Sequence, residues 1–528
     1  MKRSWFTMLA LLIVLSLVVA ACGPAEEPPE ATTAPEIEPT EAIAPPVDVD
    51  FAVMPGGYLE RALAGEFAGT EVTVDGPFTN PDDIRFAESM AAFEEATGIN
   101  VNYIGDKTFE SRITISVDAG DPPDIADFPQ PGAVATFARR GVIIDPTTWI
   151  PQEWLAQQYN QSWLDMAMVP DASGQLMTGG VWHRFNGKSL VWYPKDDFEA
   201  AGYEIPTTWD DLLALTQMIA DDGDTAWCIG IGSEAATGWP ATDWTEETML
   251  RTTSLENYDA WVAGTLPFNS PEVKTAIETW SEIWFNNDYV YGGRDNIVST
   301  FFGDAPSPMF EDPPKCWLHK QGNFITGFFP EGAEAGVDYD FFYLPPVDEA
   351  YGKPFLVAGD MMSMFNDRPE VRALMEYFTI PQSASGWLQN GGALAAHQTA
   401  TPDLYGVDLE RGIAALVTEA TSFRFDGSDL MPAEVGSGSF WTGMVDYVSG
   451  TADLDTVLAE IDASWPEGVS GQAPPAGEEA ALAMMPGGFL ERAMAGEFSG
   501  TEVTVDGPFT NPDDIRFAES MAAFEEAT

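Results

Sequence analysis

The hydrophobic positions of the chain change their period from one segment to the next. Residues 71–74 form a short β-rich run, and Ile99, Val101 and Tyr103 occupy every second position, which predicts a half-buried strand. Between these strands, apolar residues recur at helical spacing and mark the buried face of a predicted helix: Phe86, Met90 and Phe93. This part of the chain therefore alternates strand, helix and strand.

The predicted helix has capping residues at both ends. Asn80 suits the N-cap and Pro81 the first helical position, while Asp82 and Asp83 place negative charge where the helix dipole favours it. Gly98 is typical of a helix C-terminus because glycine readily adopts the left-handed conformation that ends many helices. The sequence predicts a helix over residues 81–97.

Similar patterns predict further helices at residues 208–220, 271–287, 369–379, 409–422 and 453–464. Strands that alternate with helices indicate parallel βαβ units and an α/β fold. Because about 400 residues exceed what one hydrophobic core usually serves, we expect two α/β lobes.

A long internal repeat divides the chain. Residues 52–97 recur as residues 483–528, and only four positions differ: Val53/Met484, Tyr58/Phe489, Leu63/Met494 and Ala68/Ser499. The period is too long for a solenoid, so it indicates a whole module. We expect a complete module at 52–465, a linker at 466–482 and the start of a second copy at 483–528. In an alternative interpretation, the second copy occupies the place of the first in a neighbouring chain.

Composition restricts the class of function. The 528 residues include 84 acidic and 23 basic side chains, for a net charge of −61, and 45% are hydrophobic. Such a chain can bury a large core, which excludes global disorder. The acidic balance argues against nucleic acid or an anionic membrane surface as a partner, because both bind basic surfaces.

The sequence lacks the motifs of a catalytic or metal centre. It contains no phosphate-binding loop, no HExxH, no GxSxG and no CxxC. The three histidines, His183, His319 and His397, are not at metal-binding spacing, and we expect them to be structural. We therefore predict a protein that is not an enzyme and that has no cofactor and no metal site.

The first 22 residues form a targeting segment. Lys2 and Arg3 precede an apolar stretch at 5–19 that is too short to span a bilayer, which is typical of a signal peptide. Residues 19–22, ending in Cys22, resemble the lipobox of bacterial lipoproteins, which implies lipidation of Cys22; a plain signal peptide with an incidental cysteine is the alternative. Residues 23–50 are acidic and rich in proline, which predicts an extended tether.

Aromatic side chains alternate with polar ones in four segments: 182–193, 227–244, 358–360 and 424–441. Carbohydrates present flat C–H faces edged by hydroxyls, so their sites combine stacked rings with carboxylate, amide and guanidinium groups. A tryptophan is more often a core residue, but Gly238 and Pro240 predict that Trp239 lies in a loop.

Several segments resemble the solute-binding proteins of bacterial ABC sugar importers, the maltose-binding-protein-like group, and most closely those of α-glucoside transport systems. They include the turn GDPPDI at 120–125 and the strand and helix at 188–212. The segments ATGWPATDW at 236–244 and FDGSDLMP at 425–432 are similar to the α-glucoside branch. The partial second copy departs from a simple member of this family.

The resemblance implies two α/β lobes joined by a hinge, with the ligand in the cleft between them. It implies a monomer, outside the cytoplasm or in the periplasm, that holds a neutral oligosaccharide and delivers it to a membrane permease, with the lipid anchor as its only membrane attachment. We expect eight residues around the ligand: Gln130, Lys188, Trp192, Trp239, Asp243, Asp360, Asp429 and Trp441. The rival hypotheses are a tethered glycoside hydrolase and a carbohydrate sensor or adhesion protein without a permease.

Cys228 and Cys316 are the two cysteines that remain if Cys22 is lipidated. An oxidising setting outside the cytoplasm favours a disulfide between them. Two buried free thiols are the alternative.

Overall fold

The structure, a computed structural model, describes residues 51–466. The leader with Cys22, the tether, most of the linker and the second copy of the repeat lie outside this range. Within the described range, no helix combines the length and the apolar character needed to cross a membrane.

The strands of residues 51–466 follow one another in this order: β1 (Glu71–Gly76), β2 (Asn100–Gly105), β3 (Ile125–Phe128), β4 (Met168–Pro170), β5 (Leu176–Thr178), β6 (Val181–Gly187), β7 (Leu190–Pro194), β8 (His319–Lys320), β9 (Tyr339–Tyr343), β10 (Pro354–Met364), β11 (Leu394–Ala395) and β12 (Ser422–Phe425).

The α-helices of the same range are α1 (Tyr58–Leu63), α2 (Asp82–Thr97), α3 (Phe109–Asp118), α4 (Pro131–Arg139), α5 (Gln152–Gln158), α6 (Gln161–Met166), α7 (Lys195–Ala201), α8 (Trp209–Asp221), α9 (Trp239–Thr252), α10 (Leu255–Val262), α11 (Pro271–Trp284), α12 (Arg294–Ile297), α13 (Pro369–Tyr377), α14 (Ser385–Asn390), α15 (Asp408–Glu419), α16 (Gly427–Leu430), α17 (Trp441–Ser449) and α18 (Leu454–Ala463).

The first lobe contains a mixed sheet with the strand order β11-β6-β10-β3-β1-β2, and β12 pairs with β10. Strand β1 pairs in parallel with β2 and β3, as the βαβ pattern predicts, whereas β10 runs antiparallel to β3 and β6. The second lobe holds helices around a three-stranded antiparallel sheet, β8-β7-β9. Parallel units therefore build only part of the molecule.

Two separate hydrophobic cores confirm the expected two-lobed α/β architecture. One core packs around the large sheet, and the other packs around β7, β9 and helices α8 to α11. The chain passes between the two sheets at Lys188 and Ser189, which separate β6 from β7, and again at residues 344–353, between β9 and β10. A third passage lies between β12 and α16. A cavity between the lobes is consequently bordered by chain crossings.

The start of α2 corrects one prediction. The helix begins at Asp82 and its N-cap is Pro81, with no side-chain cap from Asn80. The reason is a turn in which the backbone N–H of Asp82 donates to the carbonyl of Thr79 at 2.9 Å, so the helix starts one residue later. Its end agrees with the prediction, because Gly98 caps it in the left-handed conformation.

The other predicted helices are present, with ends shifted by a few residues. Thr208 and Asp211 form a capping box at the start of α8, and Ser270 and Asp453 cap α11 and α18. The helix predicted at 409–422 ends at Glu419, because the chain then enters β12, which pairs with β10.

Candidate functional site

A cavity of about 190 Å³ lies where the two lobes meet. Elements of the first lobe contribute Gln130, Arg184 and Asp360 to its lining, and elements of the second contribute Trp239 and Trp441. The cavity also reaches Lys188, which lies in one of the chain crossings. It is therefore bounded by both lobes and by the segments that connect them.

The structure brings six of the eight predicted ligand residues to this cavity: Gln130, Lys188, Trp239, Asp360, Asp429 and Trp441. The remaining two, Trp192 and Asp243, do not line it. The grouping comes from five separate stretches of the sequence, so the fold supplies the proximity.

Trp192 is a core residue in this structure, which corrects its predicted place around the ligand. Its side chain on β7 is fully buried and its indole N–H donates to the carbonyl of Gln321 at 2.8 Å. The ring packs against Phe329, Tyr339 and Phe341. Because side chains alternate across a strand, Trp192 faces away from Val191 and Tyr193, which belong to the second-lobe core, and packs into the core around the large sheet.

Asp243 lies just below the cavity and acts on it through Lys188. Its side chain is 1% exposed, and its Oδ1 accepts a hydrogen bond from the Lys188 ammonium at 2.8 Å. Asp426, which does line the cavity, accepts from the same ammonium at 2.5 Å. Both carboxylates thus fix the position of the lysine head group.

Trp239 is the first residue of α9, which corrects the prediction of a loop. Pro240 suits the first turn of a helix because its missing N–H has no partner to lose there. Gly238 has a φ of 116°, and a β-carbon at this position would collide with the carbonyl oxygen of Trp441. Glycine therefore lets the start of α9 approach the start of α17, so that both tryptophans reach one cavity.

On the side of the first lobe, the cavity is lined by buried polar atoms without hydrogen-bond partners. Arg184 Nε and Asp360 Oδ2 lie 3.0 Å apart as an ion pair but form no hydrogen bond. Arg184 Nη1 and the side-chain oxygen of Asn186 also have no partner. The guanidinium lies 4.4 Å from the ring centroids of Phe78 and Trp387, which orient it. These atoms are available to hydroxyl groups of a ligand.

On the side of the second lobe, charges are concentrated around Lys188. Burial opposes the charged lysine, but Asp243 and Asp426 outweigh this effect and raise the pKa of Lys188 well above its usual value. Burial, together with the negative charge of Asp426, raises the pKa of Asp429 well above that of an ordinary carboxyl. Lys188 therefore stays charged, and Asp429 favours its neutral form.

Four phenylalanines line the cavity but were not predicted from the sequence. We call them the aromatic wall: Phe301, Phe302, Phe324 and Phe328. The centroid of the Trp239 ring lies 5.0 Å from that of Phe302 and 5.8 Å from that of Phe324. Two of the four residues belong to the 3₁₀ helix Asn323–Phe328. The sequence did contain a signal for two of them. Phe302 precedes Gly303 and Phe328 follows Gly327, just as Trp239 follows Gly238.

The cysteines and histidines lie away from this cavity lining. Cys228 and Cys316 are paired as a disulfide with their Cα atoms 5.4 Å apart, which disfavours the alternative of free thiols. All three histidines are buried, and burial lowers the pKa of His183 to about 3 and those of His319 and His397 to about 4. They are neutral groups of the interior.

Two α/β lobes around a cavity lined by aromatic and polar side chains define the class of two-lobed ligand-binding proteins. Residues 82–384 match the family model for bacterial extracellular solute-binding proteins, and the chain belongs to this family.

Curated relatives extend over most of the module. The chain is 44% identical over 396 residues to the osmoprotective compounds-binding protein GgtB of Synechocystis sp., a match that covers 75% of this chain and 92% of GgtB. It is 41% identical over 414 residues to the α-glucosides-binding periplasmic protein AglE of Rhizobium meliloti, covering 77% of this chain and 90% of AglE.

Solved structures share the fold at low sequence identity. The bacterial solute receptor AcbH superposes with a TM-score of 0.65 at 16% identity, covering 75% of this chain and 98% of AcbH. A chitin oligosaccharide binding protein superposes with a TM-score of 0.63 at 15% identity, covering 77% and 99%. These likenesses concern the architecture.

Proposed function

We propose that this protein is the ligand-binding component of an ABC sugar importer and that it holds a neutral α-glucoside in the cavity between its lobes. One observation carries the proposal. The cavity is lined by two tryptophan rings, Trp239 and Trp441, and by the side chains of Arg184, Asn186 and Asp360, each with a polar atom that has no hydrogen-bond partner. Stacked rings and planar hydrogen-bonding groups are what a sugar ring requires. The similarity to AglE supports α-glucosides as the class.

The charges around the cavity favour a neutral ligand. Arg184 is paired with Asp360, and Lys188 is paired with Asp243 and Asp426. Neither of these two cations is left for a carboxylate or phosphate on the ligand, and Lys107, which also lines the cavity, lies over the ring of Phe301. Asp429, whose raised pKa favours the protonated form, offers a hydroxyl-like group to sugar hydroxyls. A ligand that brings many hydroxyls and no charge suits this arrangement.

The size of the cavity favours a short ligand. Its volume of about 190 Å³ lies below the range of roughly 300–1,000 Å³ that is common for drug-sized ligands. We therefore propose a ligand of one or two sugar rings rather than a longer oligosaccharide.

Binding is coupled to the position of the two lobes. A ligand that contacts both lobes favours the closed arrangement by the free energy of the contacts that exist only there. In our proposal, the closed and loaded protein is recognised by a membrane permease. Lipidation of Cys22 and the acidic segment 23–50 hold the module near that permease on the outer side of the membrane.

A thermal-shift screen tests the proposal. A ligand that binds only the native state raises the melting temperature by mass action. We expect glucose-containing disaccharides with α linkages to raise it and β-linked isomers to raise it less. The panel includes trehalose and sucrose, which are α-glucosides and also act as osmoprotectants, because GgtB is named for such compounds. Release of monosaccharide during incubation would instead support the hydrolase hypothesis.

A further inference from the structure

Three buried carboxylates lie close together at the floor of the cavity, and one of them, Asp426, lines it. Asp243 and Glu246 are on α9, and Asp426 precedes α16; we call these three residues the acidic floor. One oxygen atom from each lies within 4.8 Å of the other two. The side chains are between 0% and 1% exposed, so water does not screen their charges.

Two oxygens of the acidic floor have no hydrogen-bond partner. Asp243 Oδ2 and Glu246 Oε2 are buried and unpaired. The other oxygens are occupied, because Lys188 donates to Asp243 Oδ1 and Asp426 Oδ2, and the backbone N–H of Ser428 donates to Glu246 Oε1 at 2.9 Å. Unpaired buried carboxylate oxygens are costly unless another group compensates them.

The charges near the acidic floor do not balance. Its three carboxylates exceed the single charge of Lys188 by two. Of the surrounding groups, Asp429 favours its neutral form, Glu247 is paired with Arg251, and Lys320 adds one positive charge, so the cluster keeps a net negative charge.

We propose that Asp243, Glu246 and Asp426 bind one divalent cation of the size of Ca²⁺ directly beneath the sugar cavity. A site built only of oxygen atoms suits hard cations, whereas zinc prefers nitrogen and sulfur ligands. Ca²⁺ binds protein oxygens at about 2.4 Å, so two oxygens on opposite sides of the ion are separated by about twice that distance. This agrees with the separations of up to 4.8 Å in the acidic floor. Mg²⁺ instead usually retains several waters. The hydroxyls of Thr242 and Ser428, 3.2 Å apart, add nearby oxygens.

This cation links two properties of the protein. Asp426 and Ser428 line the cavity, and Ser428 donates to Asp426 Oδ1 at 2.8 Å. A cation that holds Asp426 therefore also fixes the cavity floor, and sugar affinity rises when the cation is bound. This coupling rests on the proposed sugar-binding function, whereas cation binding itself does not.

Calorimetry tests the site without any sugar. The mature protein is stripped with a chelator, exchanged into buffer with enough potassium chloride to screen its surface charges, and titrated with calcium chloride. We expect one saturable site. Terbium luminescence excited through tryptophan gives a second readout, because Trp244 lies on α9 with two of the ligands.

Variant Glu246→Gln separates this site from surface binding. The change removes one charged ligand at nearly constant volume, and we expect calcium affinity to fall at least 10-fold. The matched control Glu282→Gln changes an exposed glutamate on α11 and leaves affinity unchanged. Without calcium, Glu246→Gln melts at a higher temperature than the wild type, since it relieves the charge excess, so a folded variant is expected.

Three results would overturn the proposal: no saturable calcium site, equal calcium affinity in wild type and Glu246→Gln, or neutralisation of the floor by a proton. In the third case, the free energy of unfolding of the wild type falls with rising pH whether or not calcium is present. The same fall is absent in Glu246→Gln. If calcium binds as expected but no sugar does, the cation site stands and the proposed function fails.

Discussion

At the scale of single residues, the cavity is built from pairs in which one partner orients the other. Arg184 is placed between Phe78 and Trp387, and Lys188 between Asp243 and Asp426. Lys188 also lies 5.3 Å from the ring centroid of Trp239. The groups that would meet a ligand are therefore held before the ligand arrives, which reduces the entropy lost on binding.

Replacement of Trp239 by alanine tests the stacking surface. We expect the affinity for the preferred sugar to weaken by at least about 1 kcal/mol, because loss of an aromatic anchor commonly costs that much. Trp239→Phe, which keeps a ring, should lose less. Trp154→Ala removes a partly buried tryptophan of the first lobe and should leave affinity unchanged. Equal calorimetric affinity of wild type and Trp239→Ala would refute the assignment.

Replacement of Lys188 by glutamine tests the buried ion pairs. The change leaves Asp243 and Asp426 without their cation, and removal of one partner of a buried pair costs about 3–5 kcal/mol. The control Lys195→Gln breaks exposed pairs with Glu199 and Asp340, for which about 0–1 kcal/mol is typical.

Urea unfolding at neutral pH measures both variants. A loss of stability in Lys188→Gln no larger than that in Lys195→Gln would contradict the account of the buried cluster.

At the scale of elements, α9 and α17 meet at Gly238. The left-handed backbone at this glycine and its approach to the Trp441 carbonyl bring the first turns of the two helices together. The site is therefore assembled by a contact between helix starts.

Gly238→Ala should push these two helix starts apart. The expected cost is about 1–3 kcal/mol of stability from the strained backbone, with a further loss of sugar affinity because the tryptophans separate. Gly223→Ala is the matched control, since its φ of 95° imposes similar strain but a β-carbon there meets nothing within 4 Å.

Thermal melting and calorimetry distinguish the two effects. We expect both variants to lose stability and only Gly238→Ala to lose affinity. Equal affinities of the two variants would show that the contact with Trp441 does not position the site.

The elements also show what could be predicted from the sequence. Local signals identified the helices. Gly98 ends α2 because its backbone adopts the left-handed conformation, and the hydroxyl of Thr208 caps α8 by accepting from the nearby backbone N–H of Asp211. The antiparallel sheet of the second lobe was not predicted, because its pairing joins β7 to β9 across a long stretch of chain. The aromatic wall was missed for the same reason: Phe302 and Phe324 reach Trp239 only through tertiary packing.

Residue-level misses have a related cause. Trp192 and Trp239 both lie in segments where aromatic and polar residues alternate, yet one is in the core and the other lines the cavity. The face of a strand that points inward depends on the sheets it joins. Arg184 and Asp426 lie in the aromatic segments that indicated the site, but their roles depend on partners, Asp360 and Lys188, from other segments.

At the scale of the whole molecule, a disulfide joins two parts of the second lobe's chain. Cys228 and Cys316 are 88 residues apart in the sequence. Closing a loop of this length restricts the unfolded chain, which stabilises the fold by about 4.6 kcal/mol in a chain-entropy estimate.

Thiol titration of the full chain, unfolded without a reductant, tests this bridge. We expect no reactive thiol before reduction and two after it. A single thiol before reduction would identify an unmodified Cys22. Two further thiols before reduction would show that Cys228 and Cys316 are free.

At this scale, two lobes meet at one cavity in a chain that belongs to the family of bacterial extracellular solute-binding proteins. We propose that this cavity holds a short neutral α-glucoside and leaves it unchanged. The most direct measurement is calorimetric titration of the mature protein with trehalose, sucrose and maltose, followed by chromatography of the recovered sugar. We predict saturable binding of at least one of them to one site per chain, with the sugar recovered intact. Conversion of the sugar, or no binding of any α-glucoside, would contradict the account.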